Sequence, residues 1–315
     1  MKLSTKSIAP LIHGAYSVTE REGYLTFSHY DEKQNEYLKF SEFFYDRASF
    51  SSSVTIEFET DATFVSVDYK IFKVGSYDTV DLYANGVAVA IIHMKDRPDK
   101  GRLEFTLPDG KKKVVIYLPI DLNIGIKNLV IDGKWKNPKK NAPKVLWMGD
   151  SITQGFGTFI TSETYVNVAN RVLGYEILNQ GIGGYYYDEK IITPMDNFTP
   201  DKIIVSMGTN QHRSPDKKER IEKYFEALDK VYNGIPVLAI TPIWRCNPGT
   251  DMDMLVETAN IIKEVAAKYP NVKVVDGFTL VPNLRDYFCD ELHPNALGGE
   301  LYGNNLVKAI KALKF

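Results

Sequence analysis

The run Val145-Leu146-Trp147-Met148-Gly149-Asp150-Ser151-Ile152-Thr153 carries an apolar segment, read as a buried strand, into a serine flanked by Gly and Asp. The end of a buried strand is where a scaffold presents a nucleophile on a loop. Gly-Asp-Ser alone is also an ordinary strand-terminating turn. The far end of the chain shifts that balance, because Asp290-Glu291-Leu292-His293-Pro294 sets a carboxylate three residues before an imidazole. Serine, histidine and aspartate are together the components of nucleophilic acyl transfer. A serine hydroxyl is a weak nucleophile at neutral pH, so His293 has to take its proton during attack and return it to the leaving group. Asp290 would fix the imidazole tautomer that turns an acceptor nitrogen towards Ser151, and would stabilise the imidazolium that forms. Two stretches between these ends could supply an oxyanion hole: Asn179-Gln180-Gly181-Ile182-Gly183-Gly184 after a short strand, and Gly208-Thr209-Asn210 after the strand at 202–207. Glycine lets a backbone N–H approach a substrate closely, and the Asn210 amide is a neutral donor.

Taken in order, these blocks resemble those of the SGNH hydrolases, also called GDSL-like esterases and lipases. Gly149-Asp150-Ser151 is similar to the first block, Gly184 to the second, Gly208 with Asn210 to the third, and Asp290 with His293 to the last. The resemblance covers roughly residues 143–315 and implies a triad of Ser151, His293 and Asp290, with an oxyanion hole of Ser151 N–H, Gly184 N–H and the Asn210 side chain. The third block of the family usually reads Gly-x-Asn-Asp, whereas Gln211 follows Asn210 here. Some carbohydrate esterases of this fold work with a Ser-His dyad and replace the acid by another acceptor, so the part played by Asp290 stays open. No metal-ligand spacing joins His13, His29, His93, His212 and His293, and no cofactor is expected.

The elements that must position these residues change period along the chain. Up to about residue 140 there is almost no helical pattern. Short alternating runs occur at 54–59, 64–69, 79–83, 87–93, 102–107, 112–118 and 128–131, with Asn85-Gly86 and Asp109-Gly110 read as hairpin turns. This is the signature of an antiparallel β-sandwich, expected to be jelly-roll-like. After a stretch rich in Lys, Asn and Pro, strands alternate with helices. Ser214-Pro215 is read as opening a helix whose buried stripe is Ile221, Tyr224, Phe225, Leu228 and Val231, ended by Gly234. Strands at 236–241 and 272–276 enclose a helix at 253–269, and Asn295 opens a last helix with Leu297, Leu301, Leu306, Ile310 and Leu313 inward. Such alternation implies a parallel sheet covered on both faces, with the site at the carboxyl ends of its strands. The expected fold is therefore α/β: a three-layer α/β/α SGNH-type domain at 143–315, preceded by a β-sandwich domain at 1–135 and a linker at 136–142. So short a linker keeps the sandwich beside the sheet it precedes, where it would help form the cleft.

A chain of 315 residues with a formal net charge of −2 has room for two cores and shows no bias towards a polyanionic partner. Lys111-Lys112-Lys113 is read as a solvated turn, so no nucleic acid is expected. No segment is apolar enough to span a membrane, and Ser4, Thr5, Lys6 and Ser7 interrupt any signal-peptide core, which leads to the expectation of a cytoplasmic protein. Cys246 and Cys289 are expected as free thiols. The order of a sandwich before an SGNH domain resembles acetyl esterases of carbohydrate esterase family two, which implies a short acyl group, acetyl foremost, on a sugar hydroxyl. Tyr185, Tyr186 and Tyr187 after the second-block glycine, with Trp244 and Arg245 after the strand at 236–241, are candidates for binding a small-molecule or oligosaccharide ester. Other acyl chemistry (thioesterase, lysophospholipid hydrolase, transferase to a non-water acceptor) and an inert carbohydrate-binding protein are the alternatives. The oligomeric state is not encoded in any of these features.

Overall fold

The computed structural model describes residues 2–138 and 141–315. The first half contains helix α1 (Thr5–Ile8), strands β1 (Ile12–His13), β2 (Ser17–Arg21) and β3 (Tyr24–Ser28), and helices α2 (Glu32–Leu38) and α3 (Glu42–Ala48). Strands β4 (Thr55–Thr60), β5 (Phe64–Val74), β6 (Thr79–Ala84), β7 (Val87–His93), β8 (Lys100–Thr106), β9 (Lys112–Tyr117), β10 (Leu122–Ile131) and β11 (Trp135–Lys136) complete it. Two antiparallel sheets result, one ordered β1-β4-β9-β6-β7 with β11 beside β4, the other β2-β3-β10-β5-β8. Strand period explains the core between them. Ile56 pairs with Ile116 and Phe58 with Val114 on one face of β4 and β9, and these four are buried together with Val65, Val67, Phe105 and Ile126 of the facing sheet.

Three expectations for this half need correction. Helices α2 and α3 were not foreseen: each has seven residues, too few to display a helical period, although the Asp31-Gln34 capping box that starts α2 is a local signal in the sequence. Asn85 (φ 51°) and Gly86 (φ 81°) do close the β6-β7 hairpin, but Asp109-Gly110 joins β8 in one sheet to β9 in the other and is a crossing, not a hairpin. Alternation is the same in both sheets, so it cannot say to which sheet a strand belongs. Lys112 is not on a solvated turn either: it is 4% exposed, and its Nζ donates to the Ala62 carbonyl at 2.7 Å.

The second half contains β12 (Lys144–Gly149), α4 (Ser151–Gln154), α5 (Tyr165–Leu173), β13 (Glu176–Gly181), β14 (Lys202–Ser206), α6 (Lys217–Val231), β15 (Val237–Ile240), α7 (Met252–Ala266), β16 (Val272–Val275) and α8 (Ala296–Ala312). Its five strands form a parallel sheet in the order β13-β12-β14-β15-β16. Both faces of β12 are covered, which is why it reads as an unbroken apolar run. Leu146 and Met148 enter the core shared with α6 and α7, and Val145 and Trp147 the core shared with α5 and α8. The chain leaves β12 first to one side, for β13, and later to the other, for β14, so the crevice at the carboxyl end of β12 is the switch point of the sheet. Helix α6 starts at Lys217, because the Ser214 hydroxyl bonds Asp216 and leaves Ser214-Pro215 in the preceding turn. On α8, Leu306 and Ile310 are buried, but Leu297 is 55% exposed in the first turn, before the helix meets α5.

Strand β11 ends at Lys136 and β12 begins at Lys144; of the stretch expected as a linker, residues 139 and 140 lie outside the described residues. Tyr30 and the α2-α3 residues Leu38 and Ala48 pack into the same core as Leu178, Tyr185 and Met195, so a helical pair from the first half rests on the parallel-sheet half. Among the described residues no helix is long and apolar enough to cross a membrane.

Candidate active site

Strand β12 delivers Asp150 and Ser151 to the switch point. Asp150 caps α4 by accepting the Ile152 N–H at 3.0 Å, and Ser151 is the first residue of that one-turn helix, so its own backbone N–H has no partner within the helix. Burial pushes the Asp150 carboxyl up to about 7, against the pull of the Ile152 N–H and the Arg245 guanidinium.

His293 reaches this point from a turn before α8. Its Nε2 lies 2.8 Å from Ser151 Oγ, and its Nδ1 lies 2.7 Å from Asp290 Oδ2. Asp290 Oδ1 also accepts the backbone N–H groups of His293 at 2.7 Å and Leu292 at 3.1 Å. That turn needs Glu291 at φ 66°, and Glu291 is held there by an ion pair with Arg285. Burial alone would raise the Asp290 carboxyl, but the His293 backbone and ring bonds outweigh it and the net shift is downward. Burial lowers His293, with Asp290 opposing and the charges of Arg245 and Arg47 adding to the lowering. With Nδ1–H donated to a carboxylate, Nε2 is the acceptor for the Ser151 hydroxyl proton. The loop behind the ring is fitted closely: Gly157 has φ +90°, and a Cβ there would stand 2.5 Å from His293 Cβ. The Phe156 ring meets the imidazole edge-on at 4.8 Å.

The two expected donor stretches sit side by side. Asn210 Nδ2 donates to the Tyr185 carbonyl at 2.8 Å, and Gln211 Oε1 accepts the Tyr187 N–H at 2.7 Å. Gln211, the departure from the family pattern, thus ties the third block to the loop of the second. Gly183 N–H donates to Gln154 Oε1 at 2.7 Å, fastening that loop to α4. Gly184 has φ +79°, and among the described residues nothing accepts its N–H. Its conformation and that free donor are what an oxyanion-binding position requires.

The sequence-derived binding candidates divide. Tyr187 is 0% exposed and packs on Tyr224 and Phe225, and Tyr185 is buried with its hydroxyl on Asp188, so neither presents a ring to a ligand. Tyr186 is half-buried, stacked on Tyr185 at 5.3 Å with the Arg220 guanidinium over it. The physical reason is position: alternate residues of this segment turn into the core beneath the sheet edge. Trp244 packs on Phe278 at 4.4 Å and donates its Nε1–H to the Phe278 carbonyl. Arg245 donates to Thr209 through its carbonyl and hydroxyl at 3.0 and 3.3 Å and lies near enough to Asp150 and Asp290 to feel both charges. Cys246 and Cys289 are free thiols, and burial pushes Cys289 up to about 11.

Residues of the first half also reach the site; this half was expected to help form the cleft, but the side chains that do so were not singled out in the sequence. Arg47 of α3 pairs with Asp121 at 3.3 Å, Asp121 Oδ1 accepts from Gln154 Nε2 at 2.8 Å, and Gln154 holds Gly183. The Arg47 guanidinium covers the Phe43 ring at 4.5 Å and approaches Phe156 at 6.0 Å. Ser52 Oγ bonds the Gln154 carbonyl, and Asn179 Nδ2 donates to Ser53 Oγ at 3.0 Å.

Comparison with known proteins bears on the family and the fold. Residues 147–301 match the model of the GDSL-like Lipase/Acylhydrolase family. An acetylxylan esterase of Xylanibacter ruminicola is 24% identical over 216 residues, covering 55% of this chain and 44% of that protein. The chain thus spans less than half the length of that curated relative. Among solved structures, a salicylyl-acyltransferase from a tetracycline biosynthetic pathway superposes with a TM-score of 0.80 at 19% identity, over 100% of this chain and 97% of its own. An acetyl xylan esterase of Butyrivibrio proteoclasticus does so with a TM-score of 0.67 at 15% identity, over 100% and 98%. At such identities the two structures share the fold.

Proposed function

We infer, from the match of residues 147–301 to the model of the GDSL-like Lipase/Acylhydrolase family, that this chain is a serine esterase that removes short acyl groups, acetyl foremost, from hydroxyls of a carbohydrate. The observation that carries the reading is the continuous relay from Ser151 Oγ through His293 Nε2 at 2.8 Å and His293 Nδ1 to Asp290 Oδ2 at 2.7 Å. Ser151 Oγ attacks the ester carbonyl while His293 takes its proton, and Asp290 stabilises the imidazolium. The tetrahedral oxyanion is met by the N–H groups of Ser151 and Gly184 and by the Asn210 amide. His293 returns the proton to the departing sugar hydroxyl, leaving an acyl-Ser151. Water, deprotonated by His293, then releases the carboxylate and regenerates the serine.

The acyl group and alcohol are supported by the relatives. An acetylxylan esterase matches in sequence and an acetyl xylan esterase matches in fold. Acetate release measured across acetylated xylan, acetylated mannan and acetylated monosaccharides tests the substrate class; no release from any of them, with hydrolysis of simple esters intact, defeats the carbohydrate reading. A second reading, transfer of the acyl group to an acceptor other than water, draws on the whole-chain likeness to an acyltransferase. Both readings share the acyl-enzyme and part at its fate. Acylated product in place of free carboxylate, when a hydroxylated acceptor is added, would favour transfer.

A further inference from the structure

We propose that Phe43 and Arg47 of α3 form a pyranose-binding subsite for the alcohol half of the ester, so that the first half of the chain sets substrate choice in a site whose chemistry belongs to the second. The inference rests on the esterase reading above. Its starting point is the space above Gly184: a Cβ built there would lie 3.2 Å from Phe43 Cε1 and 3.7 Å from Phe44 Cε1. A substrate whose carbonyl oxygen is held by the Gly184 N–H therefore has the Phe43 ring as a neighbour. Phe43 is nevertheless 52% exposed, and Phe40, just before α3, is 53% exposed, so an apolar surface borders Gly184.

The ring is held rigidly while exposed. The Arg47 guanidinium covers it at 4.5 Å and Phe44 meets it edge-on at 5.5 Å. Arg47 is anchored in turn by Asp121, and Asp121 by Gln154, the residue that fastens Gly183. Platform and oxyanion loop are thus parts of one hydrogen-bonded unit, and their spacing is fixed before substrate arrives. A small acyl group needs an enclosed pocket, whereas a half-exposed ring at the mouth suits the larger, still hydrated part of the ester. The C–H face of a pyranose stacks on such a ring and keeps its hydroxyls in water. An aliphatic chain would be better served by a buried apolar channel.

The test compares acetate release from ethyl acetate, which has no ring, with release from an acetylated xylo-oligosaccharide, using wild type, Phe43→Ala and Phe43→Tyr. Phe43→Ala is expected to lower kcat/KM on the saccharide about tenfold more than on ethyl acetate, chiefly through KM, and Phe43→Tyr to restore most of it. Equal losses on the two esters would mean that Phe43 only props the Gly184 loop, and an undiminished saccharide rate would mean that nothing stacks there; either overturns the subsite. The exposed position keeps the alanine variant folded, checked by its thermal midpoint. Wild-type protein that cleaves ethyl acetate but no saccharide ester defeats the carbohydrate reading and the subsite with it, a result distinct from the variant failing alone.

Discussion

The two arms that meet at Ser151 are built differently. The His293 arm comes from the parallel-sheet half and is local: Asp290 and His293 share one turn, three residues apart, and the carboxylate is bonded to both the ring and the backbone of its partner. The Arg47 arm comes from the first half and is long-range, since Arg47, Asp121 and Gln154 are brought together across 74 and 33 residues of chain. On the proposed reading, the local arm supplies reacting groups and the long-range arm supplies walls. A chemistry that tolerates no error in tautomer would then sit on a short rigid turn, whereas the surface proposed to select the alcohol is carried by a separate packing unit.

The most severe way to break this comparison is to remove the first half. A fragment starting at Asn141 loses Tyr30, Leu38 and Ala48 from the core they share with Leu178 and Tyr185, and loses the Ser53 hydroxyl that receives Asn179. It is expected to be insoluble or to lack a cooperative thermal transition; a soluble fragment with wild-type rates on simple esters would show the walls to be dispensable. Within the intact chain, Ser151→Ala is expected to lose roughly six orders of magnitude in kcat with no loss of fold, and His293→Ala added to it should cost little more. Asp290→Asn is expected to cost up to about 10⁴-fold, because the amide can present its N–H to the ring and favour the wrong tautomer. A mild effect there, measured as kcat on an activated acetyl ester, would turn the triad into a dyad. Asn210→Ala should cost about 3 kcal/mol of transition-state stabilisation, seen in kcat; a rise in KM at constant kcat would make Asn210 a binding residue instead.

The smallest expected effect concerns the charge that the walls place beside the base. His293 must be neutral to accept a proton, so activity is lost as pH falls through its pKa, and burial has moved that pKa below the ordinary value of 6.5. The acid limb of kcat/KM should therefore lie below pH 6.5. Arg47→Gln removes one of the positive charges that contribute to the lowering and should shift the limb upward, towards the ordinary value. An unmoved limb would mean that the first half does not reach the base electrostatically.

The difference between the arms also explains how much was legible in the sequence. Ser151, Asp290 and His293 stand out as candidates because each lies in a short run at a strand or helix boundary, and because β12 is apolar on both faces; Gly184 and Asn210 were picked out of two candidate stretches only by the resemblance to the SGNH hydrolases. The alternating sheets of the sandwich and the parallel sheet follow from period alone. Periodicity gave no sign of α2 and α3, which are too short to show one, and nothing local marks Arg47 or Asp121, whose meaning lies in residues far along the chain. Tyr185 and Tyr187 misled for the complementary reason: three successive aromatics beside a glycine look like a binding surface, but two of them point into the core. Gln211 shows the reverse, a departure from pattern that keeps a supporting role through its bond to the Tyr187 N–H.

The central claim is that Ser151 becomes covalently acylated. Wild-type protein mixed with a short-chain activated ester, quenched with acid within milliseconds and mapped by mass spectrometry, is predicted to carry one acyl group on the peptide containing Ser151, absent from Ser151→Ala. Full turnover with no acyl group on that peptide, or the same label retained in Ser151→Ala, would contradict the account.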